Sequence, residues 1–317
     1  MKPARTILFC TALLWSFSWG QEFRVVRPPT KLPLPYASSA KISPTGERIS
    51  FTGKGFNKLY IANIDGSNVQ ELCLHDAVGW GHQWSPDGKF IAVRANHVQE
   101  KTKRVRVELL DVENRTEIAV TNLHSSRSRL SLPSWKDQNL LAYTSRSGLE
   151  LKRIVLEDST LTLKTVSRQD VTLARWSTDA LEIIEGTKVQ RVRPFRQSRQ
   201  VLNAAWTSDR GFSAVEFSGR PSLYVVSADG KTTTLIDAKG ESPCWLDDRT
   251  IVYMVTEDDG YRILSGNIWI SDREGKVKKN LTEGLNEVAL FPSAAKNGTI
   301  VFTTESGAVY MMTISRE

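Results

Sequence analysis

The sequence predicts an all-β fold in which seven similar antiparallel units form a closed ring. Two observations support this prediction. A turn motif, complete in Trp84-Ser85-Pro86-Asp87-Gly88, recurs in degraded form at seven places along the chain. The copies are about forty residues apart, and short segments rich in β-branched and aromatic residues separate them. This combination is typical of a seven-bladed β-propeller built from four-stranded antiparallel blades.

The turn motif has a local physical explanation. Pro presets φ for the turn, Asp bonds its own backbone, and Gly accepts a positive φ. The copies begin at Ile42, Trp84, Trp135, Trp176, Trp206, Trp245 and Pro292. Because a tryptophan recurs at the motif position, we expect these five indole rings to be buried between adjacent blades rather than to stack on a ligand.

Four strands, a to d from the axis outward, can be assigned to each unit. In the second unit, strand a ends at Trp84, and strands b, c and d are predicted at Phe90–Val93, Val105–Leu110 and Thr116–Thr121. The third strands repeat most clearly, with one aromatic residue at a constant register. They read Leu59-Tyr60-Ile61, Leu223-Tyr224-Val225, Ile268-Trp269-Ile270 and Val309-Tyr310-Met311.

The last unit has residues for three strands, and no segment after the third is long enough for a fourth. The segment Phe23–Arg27 alternates in the manner of a strand and is predicted to pair beside Ala308–Ile314, which closes the ring and removes an exposed sheet edge. The segment Pro28–Pro35 is then expected to be an extended link into the first blade.

These repeats resemble those of TolB-type propellers. The resemblance rests on Trp84-Ser85-Pro86-Asp87-Gly88-Lys89-Phe90-Ile91-Ala92, on the Leu-Tyr-Ile and Leu-Tyr-Val strands with their Asp-Gly turns, and on Asn280-Leu281-Thr282. The chain departs from TolB itself, which resembles a six-bladed propeller preceded by an α/β domain. Similar repeats occur in peptidase propeller domains and in oligogalacturonate lyases, so the resemblance implies the fold and spans both binding proteins and enzymes.

The first twenty residues have the pattern of a signal peptide. Lys2 and Arg5 precede the apolar run Ile7–Trp19, and small residues stand before Gln21. We therefore expect residues 1–20 to be removed, residues 21–317 to form one domain, and the protein to be periplasmic or secreted. No later segment is apolar enough to cross a membrane. The formal charge of +7 with mixed signs does not indicate nucleic-acid binding.

Two cysteines follow the predicted signal peptide. Cys73 is assigned to an outer strand of the first blade and Cys244 to an inner strand of the sixth. These positions are too far apart for a disulfide. Both are interpreted as small buried apolar residues.

One face of the predicted ring carries the longer loops. The b-to-c segments Asn96–Lys103 and Glu257–Gly266 lie on it together with the d-to-a links, whereas tight Asp-Gly turns occupy the other face. The primary hypothesis is a binding module that docks a protein or an anionic envelope polymer on this face, without a cofactor. The candidate binding residues are His75, Trp80, His82, His97, Arg127, Arg129, Asp258, Tyr261 and Arg262.

The alternative hypothesis is an enzyme. All four histidines fall on or near the long-loop face, so His82, His97 and His124 are candidates for a lyase or hydrolase site that acts on an acidic saccharide. No tight metal-ligand spacing is present, and His82 near the axis need not meet His97 farther out. We therefore expect no metal site.

Two charged segments have structural and functional interpretations. The basic stretch Lys188–Arg199 would suit an anionic polymer or a solvated outer edge. The acidic segment Glu257-Asp258-Asp259-Gly260 lacks EF-hand spacing and is interpreted as a hairpin tip.

Overall fold

A computed structural model of the chain describes residues 23–99, 101–157, 160–195, 198–219 and 222–316. These residues form seven small antiparallel sheets, which are the blades of a propeller. The predicted seven-bladed architecture is confirmed. No helix in the described part of the chain is long and apolar enough to cross a bilayer. The predicted signal peptide, residues 1–20, lies outside the described residues.

The strands are numbered in chain order. Strand β1 (Phe23–Lys31) precedes the first blade. Blade 1 contains β2 (Ala40–Ile42), β3 (Arg48–Thr52), β4 (Leu59–Asn63) and β5 (Gln70–Cys73). Blade 2 contains β6 (Gln83–Trp84), β7 (Phe90–Gln99), β8 (Thr102–Asp111), β9 (Thr116–Ala119) and β10 (His124–Ser125). Blade 3 contains β11 (Ser134–Trp135), β12 (Leu140–Ser145), β13 (Gly148–Glu157) and β14 (Thr160–Thr165).

The second half of the ring continues the pattern. Blade 4 contains β15 (Thr172–Trp176), β16 (Leu181–Glu185) and β17 (Lys188–Val192). Blade 5 contains β18 (Val201–Trp206), β19 (Phe212–Phe217), β20 (Ser222–Ser227) and β21 (Thr233–Asp237). Blade 6 contains β22 (Gly240–Asp247), β23 (Thr250–Asp258), β24 (Ile263–Asp272) and β25 (Lys278–Asn280). Blade 7 contains β26 (Ala289–Ala294), β27 (Thr299–Thr304), β28 (Val309–Arg316) and β1, and single 3₁₀ turns occupy Lys54–Phe56 and Arg168–Asp170.

Two blades depart from four strands. In blade 2, β9 and β10 both pair with β8, so this sheet has five strands. In blade 4, β17 is the outermost of three strands in the described part of the chain. The segment that follows β17 contains Pro194, which has no backbone N–H to donate to a strand ladder.

Two predicted loops are paired strands instead. The segment Asn96–Lys103 belongs to the β7–β8 hairpin, in which His97 pairs with Arg104 and Val98 with Lys103. The segment Glu257–Gly266 likewise belongs to the β23–β24 hairpin. Both segments are therefore hydrogen-bonded hairpins rather than irregular loops, and the second contains a register shift between Glu257 and Asp258.

The repeated turns are held by their own side chains. Ser85 Oγ donates to Asp87 Oδ1 at 2.6 Å, and the Phe90 N–H donates to Ser85 Oγ at 2.9 Å. Thr207 and Asp209 repeat this arrangement in blade 5, where Thr207 Oγ1 donates to Asp209 Oδ1 at 2.6 Å. The turns close locally, which explains why the motif is legible in the sequence.

The motif tryptophans join neighbouring blades. Trp84 and Trp135 are buried, and Trp176, Trp206 and Trp245 are partly buried. The expected burial is therefore confirmed for Trp84 and Trp135 and holds only in part for the other three, of which Trp206 and Trp245 also line a cavity at the axis. Three indole N–H groups donate to a carbonyl on the inner strand of the preceding blade: Trp84 to Lys41, Trp135 to Gln83 and Trp245 to Ala205.

The ring closes through β1, as predicted. Phe23 pairs with Arg316 and Val25 with Ile314, and the Phe23 side chain is buried. The strand extends to Lys31, so the pairing is longer than the predicted Phe23–Arg27 and includes the first part of the expected extended link. A register shift between Arg27 and Thr30 takes the chain past Pro28 and Pro29 without ending the ladder.

The seventh motif copy starts two residues later than the sequence suggested. Ala294 pairs with Ile300 as Trp245 pairs with Ile251 in blade 6. Ala294 rather than Pro292 is therefore the equivalent of the motif tryptophan.

Paired residues on strands b and c fill the space toward the preceding blade. Phe302 and Tyr310 stack with their ring centroids 5.5 Å apart, and Phe302 is fully buried against blade 6. Phe51 and Tyr60 repeat this pair at 5.2 Å in blade 1, where they pack toward blade 7. We call this pair of positions, one on strand b and its paired residue on strand c, the junction register. The two side chains at this register face the preceding blade.

Candidate functional site

The predicted binding residues fall into two groups. The long-loop face, defined as the end of the ring that carries the b-to-c hairpins and the d-to-a links, holds most of them. Trp80 lies in the link from blade 1 to blade 2, Arg127 and Arg129 lie in the link from blade 2 to blade 3, and Asp258, Tyr261 and Arg262 lie at the tip of the β23–β24 hairpin. The second group, His75, His82 and His97, lies at the junction between blades 1 and 2.

Trp80 is held in a defined position although its side chain is 51% exposed. Its ring packs edge-on against Phe56, with the centroids 4.8 Å apart. The preceding residue, Gly79, donates its N–H to the Phe56 carbonyl at 3.0 Å. A Cβ at Gly79 would lie 2.0 Å from Thr52 Cγ2, so only glycine allows the link to pack this closely.

The tip of the β23–β24 hairpin is organised by turn hydrogen bonds. Asp259 Oδ1 accepts from the backbone N–H groups of Tyr261 and Arg262, and these bonds hold the pKa of Asp259 below its usual value. Asp258 Oδ1 accepts from the Gly260 N–H at 2.8 Å. The two aspartates therefore stabilise the turn. The Tyr261 side chain is fully exposed at its tip.

Exposed apolar side chains accompany Trp80 and Tyr261 on this face. Val98 lies close to the tip of the β7–β8 hairpin, and Leu264 lies close to the tip of the β23–β24 hairpin. Leu74 lies in the same link as Trp80, and all three side chains are more than half exposed. The long-loop face thus presents aromatic and aliphatic groups on hydrogen-bonded hairpins and links.

His82 has a structural role in this fold. Its side chain is fully buried, with Nε2 bonded to Ser50 Oγ at 2.8 Å and Nδ1 to the Gly79 carbonyl at 2.9 Å. Burial, reinforced by the nearby Lys41 ammonium, lowers the pKa of His82 to about 3. Both ring nitrogens are engaged, so His82 cannot act as a proton shuttle at an open mouth. His124 lies in β10, paired with Val105.

His75 and His97 do come together. Their ring centroids are 4.0 Å apart. His75 Nε2 lies 3.0 Å from Glu117 Oε2, and His97 Nε2 lies 2.7 Å from Glu108 Oε1. The expectation from the sequence concerned His82 and His97, which have different bonding partners. The contact between His75 and His97 was not foreseen.

The contacts around His75 and His97 define one polar group between blades 1 and 2, the junction cluster. Glu108 is fully buried and its Oε1 also accepts from the Arg106 guanidinium. Cys73, at the end of β5, is buried within the apolar cluster between blades 1 and 2, as predicted, and its sulfur also lies beside these polar groups. The members of the cluster are Cys73, His75, His97, Arg106, Glu108 and Glu117.

Sequence reasoning missed Glu108, although a signal for it exists. Glu108 pairs with Val93 at the junction register, where Tyr310 pairs with Phe302 in blade 7 and Tyr60 with Phe51 in blade 1. An acidic residue thus replaces the repeated aromatic in blade 2. Aligning all third strands, and not only those that carry the aromatic, would have identified it.

The basic stretch Lys188–Arg199 is engaged with its own blade and its neighbour. Arg191 pairs with Glu182 at 3.3 Å, and Arg193 pairs with Asp179 at 3.0 Å. Arg199 lies over the Phe217 ring at 5.7 Å. Arg196 lies outside the described residues. These contacts favour the interpretation of this stretch as an outer edge.

The axial channel contains cations that bind backbone carbonyls. Lys41 donates to the His82 carbonyl at 2.5 Å, and burial lowers the pKa of Lys41 to about 8. Arg210 donates to the carbonyl of Ala174 and lies 4.6 Å from the Trp206 ring centroid. These side chains tie the inner strands of different blades together.

The turn face, opposite the long-loop face, has a cavity of about 370 Å³ at the axis. Trp206, Trp245 and Lys296 are among the residues that line it. Asp248 accepts from the N–H and the hydroxyl of Ser208, and the Lys296 ammonium donates to that hydroxyl at 3.3 Å. These polar groups belong to blades 5, 6 and 7, and they are hydrogen-bonded to one another at the cavity.

Comparison with known proteins identifies the fold and not a family. No family model matches the sequence, and no curated protein matches it as a relative. A chain in the crystal structure of the mitotic checkpoint complex is similar at a TM-score of 0.58 and 14% identity, covering 99% of this chain and 98% of that one. An oligogalacturonate lyase from Vibrio parahaemolyticus is similar at a TM-score of 0.58 and 13% identity, with 92% and 96% covered. A putative TolB from Agrobacterium tumefaciens is similar at 0.51 and 13%, with 94% and 99% covered.

One of the structures named above is a putative TolB, which agrees with the TolB-type resemblance of the repeats. At such identities, the likeness concerns the propeller fold alone, and function has to be argued from the surface of this chain.

Proposed function

We propose that the chain is an exported propeller that acts as a binding module and docks a protein partner on the long-loop face. One observation carries the proposal: exposed aromatic and apolar side chains lie on hydrogen-bonded hairpins and links at this end of the ring. Trp80 and Tyr261 are 51% and 100% exposed, and their backbones are fixed by hydrogen bonds. Preorganised aromatic groups of this kind are favoured at protein interfaces.

A protein partner has more support than an anionic polymer. A polymer site needs cations that are free to contact a carboxylate or sulfate. In the basic stretch, Arg191 and Arg193 already pair with carboxylates of blade 4. Arg127 and Arg129, in the link from blade 2 to blade 3, would then contribute polar contacts at the rim of the protein interface.

Export is supported by the N-terminal pattern. Lys2 and Arg5 before the apolar run Ile7–Trp19 are what a secretory signal requires. The proposed location is the periplasm or the extracellular space.

The enzyme hypothesis has weaker support. Likeness to an oligogalacturonate lyase concerns the fold only, at 13% identity. His82, one of the three candidate catalytic residues, is buried with both ring nitrogens bonded to the protein. An acid–base group needs access to the substrate proton.

Site-specific photocrosslinking in the native cells tests the proposal. A benzophenone amino acid replaces Tyr261 or Trp80, and the matched controls carry it at Asn114 and Lys231 in exposed turns on the turn face. We expect one protein adduct of the same mass from both long-loop positions and none from the controls. Equal adducts from both faces, or none from either, would contradict docking on the long-loop face.

A second measurement addresses the enzyme hypothesis. The purified protein is incubated with polygalacturonate, and the unsaturated product and new reducing ends are followed. We expect neither to appear. Turnover that disappears in His97→Ala would replace the binding-module proposal with the enzyme.

A further inference from the structure

The junction cluster has the composition of a transition-metal site. Cys73 and His75 approach from the outer end of blade 1, and Glu108 and Glu117 approach from β8 and β9 of blade 2. A thiol, an imidazole and two carboxylates are the donor types that zinc uses in proteins. The feature is independent of the long-loop docking surface proposed above.

The donor atoms are close enough to share one ion. One donor atom from each of Cys73, His75, Glu108 and Glu117 lies within 4.8 Å of every other. Tetrahedral zinc with bonds of about 2.0–2.3 Å needs donor separations of about 3.3–3.8 Å. Side-chain rotations that move these atoms inward by about 1 Å would complete the coordination sphere, without a change in the strand pairing.

A second observation concerns Glu108, one of the four residues. Glu108 is fully buried, and its Oε2 has no hydrogen-bond partner. Its other oxygen, Oε1, is held by His97 Nε2 and by the Arg106 guanidinium. A bare carboxylate oxygen in a buried site costs free energy, because nothing replaces the water it has lost. A metal ion would supply the partner that this oxygen lacks, and His97 and Arg106 would then form the outer shell that fixes the ligand.

Charge supports a divalent cation. The glutamates bring two negative charges and Arg106 brings one positive charge. On binding, the Cys73 thiol loses its proton to solvent and forms a sulfur–metal bond. The two carboxylates, the thiolate, Arg106 and a divalent ion then sum to zero, which favours their burial together.

We propose that Cys73, His75, Glu108 and Glu117 form a four-ligand zinc site that joins blade 1 to blade 2. A sulfur and a nitrogen ligand favour zinc over magnesium and calcium, which take oxygen ligands. A cavity of about 310 Å³ lined by Glu71, Leu72, Cys73, Leu74, His75 and Glu117 gives the ion a way in. Four protein ligands from two blades make the site structural, and the ion acts as a clamp between the blades. The site uses one of the four histidines, and it contradicts the expectation from the sequence that no metal is bound.

Metal titration of the chelator-treated, purified protein tests this site. Zinc binding is measured by calorimetry, and Co²⁺ is used as a spectroscopic probe, because a cobalt–thiolate bond gives a near-ultraviolet charge-transfer band. We expect one zinc per chain, a cobalt thiolate band, an increase in the midpoint of thermal unfolding with zinc, and no comparable response to magnesium.

Two ligand variants and two matched controls make the test specific. Cys73→Ser should abolish the cobalt thiolate band, and Glu108→Gln should weaken zinc binding by about tenfold or more. The controls are Cys244→Ser, which removes the other described cysteine, and Glu150→Gln, which changes the glutamate at the same register of blade 3. Both controls should bind zinc as the parent does.

Two results would overturn the proposal. One is the absence of stoichiometric zinc binding by the parent protein. The other is binding that survives unchanged in Cys73→Ser and Glu108→Gln. If Glu108→Gln does not fold, the near-isosteric Cys73→Ser variant decides the question through the cobalt band.

Discussion

The junction between blades 6 and 7 and the junction between blades 1 and 2 use the same register for different purposes. In blade 7, the register holds the stacked pair Phe302 and Tyr310, which packs on an apolar cluster with blade 6. In blade 2, it holds Val93 and Glu108, and Glu108 binds His97 and Arg106 instead of packing. Both junctions are stabilised by burial of apolar surface, since a cluster that includes Leu59, Trp84 and Val93 lies between blades 1 and 2. The second keeps a charged group inside at a cost, which is the pattern expected where a repeat has been adapted to bind something.

The largest effect should come from removing the strand that completes blade 7. A chain that begins at residue 32 lacks β1, which exposes the edge of β28 and removes the buried Phe23 from the blade 6–7 cluster. We expect loss of cooperative thermal unfolding in calorimetry. A chain that begins at residue 21 is the control and should unfold as the full chain does. Equal midpoints for the two truncated chains would show that β1 does not close the ring.

Phe302→Ala should have the next largest effect. The ring is fully buried between blades 6 and 7, so its removal should lower the free energy of unfolding by about 3–5 kcal/mol. Urea denaturation measures this. Tyr261→Ala, at a fully exposed ring, should change it by less than about 0.5 kcal/mol. A small loss for Phe302→Ala would mean that the apolar junction is not the stronger one.

Glu108→Gln tests the polar junction in the absence of metal. Losing the charge-assisted bonds to His97 and Arg106 should cost about 1.5–3 kcal/mol in the free energy of unfolding. Glu150→Gln is the matched control. Glu150 is only partly buried, and it accepts a hydrogen bond from a neutral group, the Tyr143 hydroxyl, rather than from a guanidinium. Equal losses in the two variants would remove the distinction between the junctions.

Acidification should weaken the inner end of the blade 1–2 junction. Burial lowers the pKa of His82 from its usual value of 6.5 to about 3 in the folded chain. Between these values the unfolded chain binds the extra proton, so stability present above pH 6.5 is lost as the pH falls toward 3. The slope from this group is at most about 1.4 kcal/mol per pH unit.

Urea denaturation between pH 7 and pH 4 measures this slope for the parent and for His82→Gln. The variant should be less stable at neutral pH but should show a shallower pH dependence. An unchanged slope would show that His82 is not the group that titrates.

The smallest effect on stability, with the clearest effect on binding, is expected from Tyr261→Ala. Its ring has no buried surface to lose, so the midpoint of thermal unfolding should remain that of the parent. If the long-loop face is the docking surface, the yield of the adduct formed from a photoreactive group at Trp80 should fall. An unchanged yield would place the interface away from the β23–β24 hairpin.

The sequence by itself determined the features whose causes are local. Each turn motif closes through bonds between residues two to five positions apart, such as those of Ser85 with Asp87 and Phe90, so it leaves a readable pattern. Seven such turns and a missing last strand were sufficient to predict seven blades and closure by Phe23–Arg27. The three strands of blade 4 in the described part of the chain and the paired hairpins at Asn96–Lys103 and Glu257–Gly266 were not foreseen. Pairing depends on the partner strand, which the local pattern does not specify.

Only the tertiary structure decided the composition of the junction cluster. Cys73 and Glu117 belong to different blades, and the packing of blade 1 on blade 2 brings their donor atoms within 4.8 Å. His82 and His97 were both candidate site residues in the sequence, but one is buried as a neutral structural group and the other binds a buried carboxylate. The reason is physical: burial and partners across a junction set the protonation and availability of a side chain, and these belong to the fold and not to the residue type.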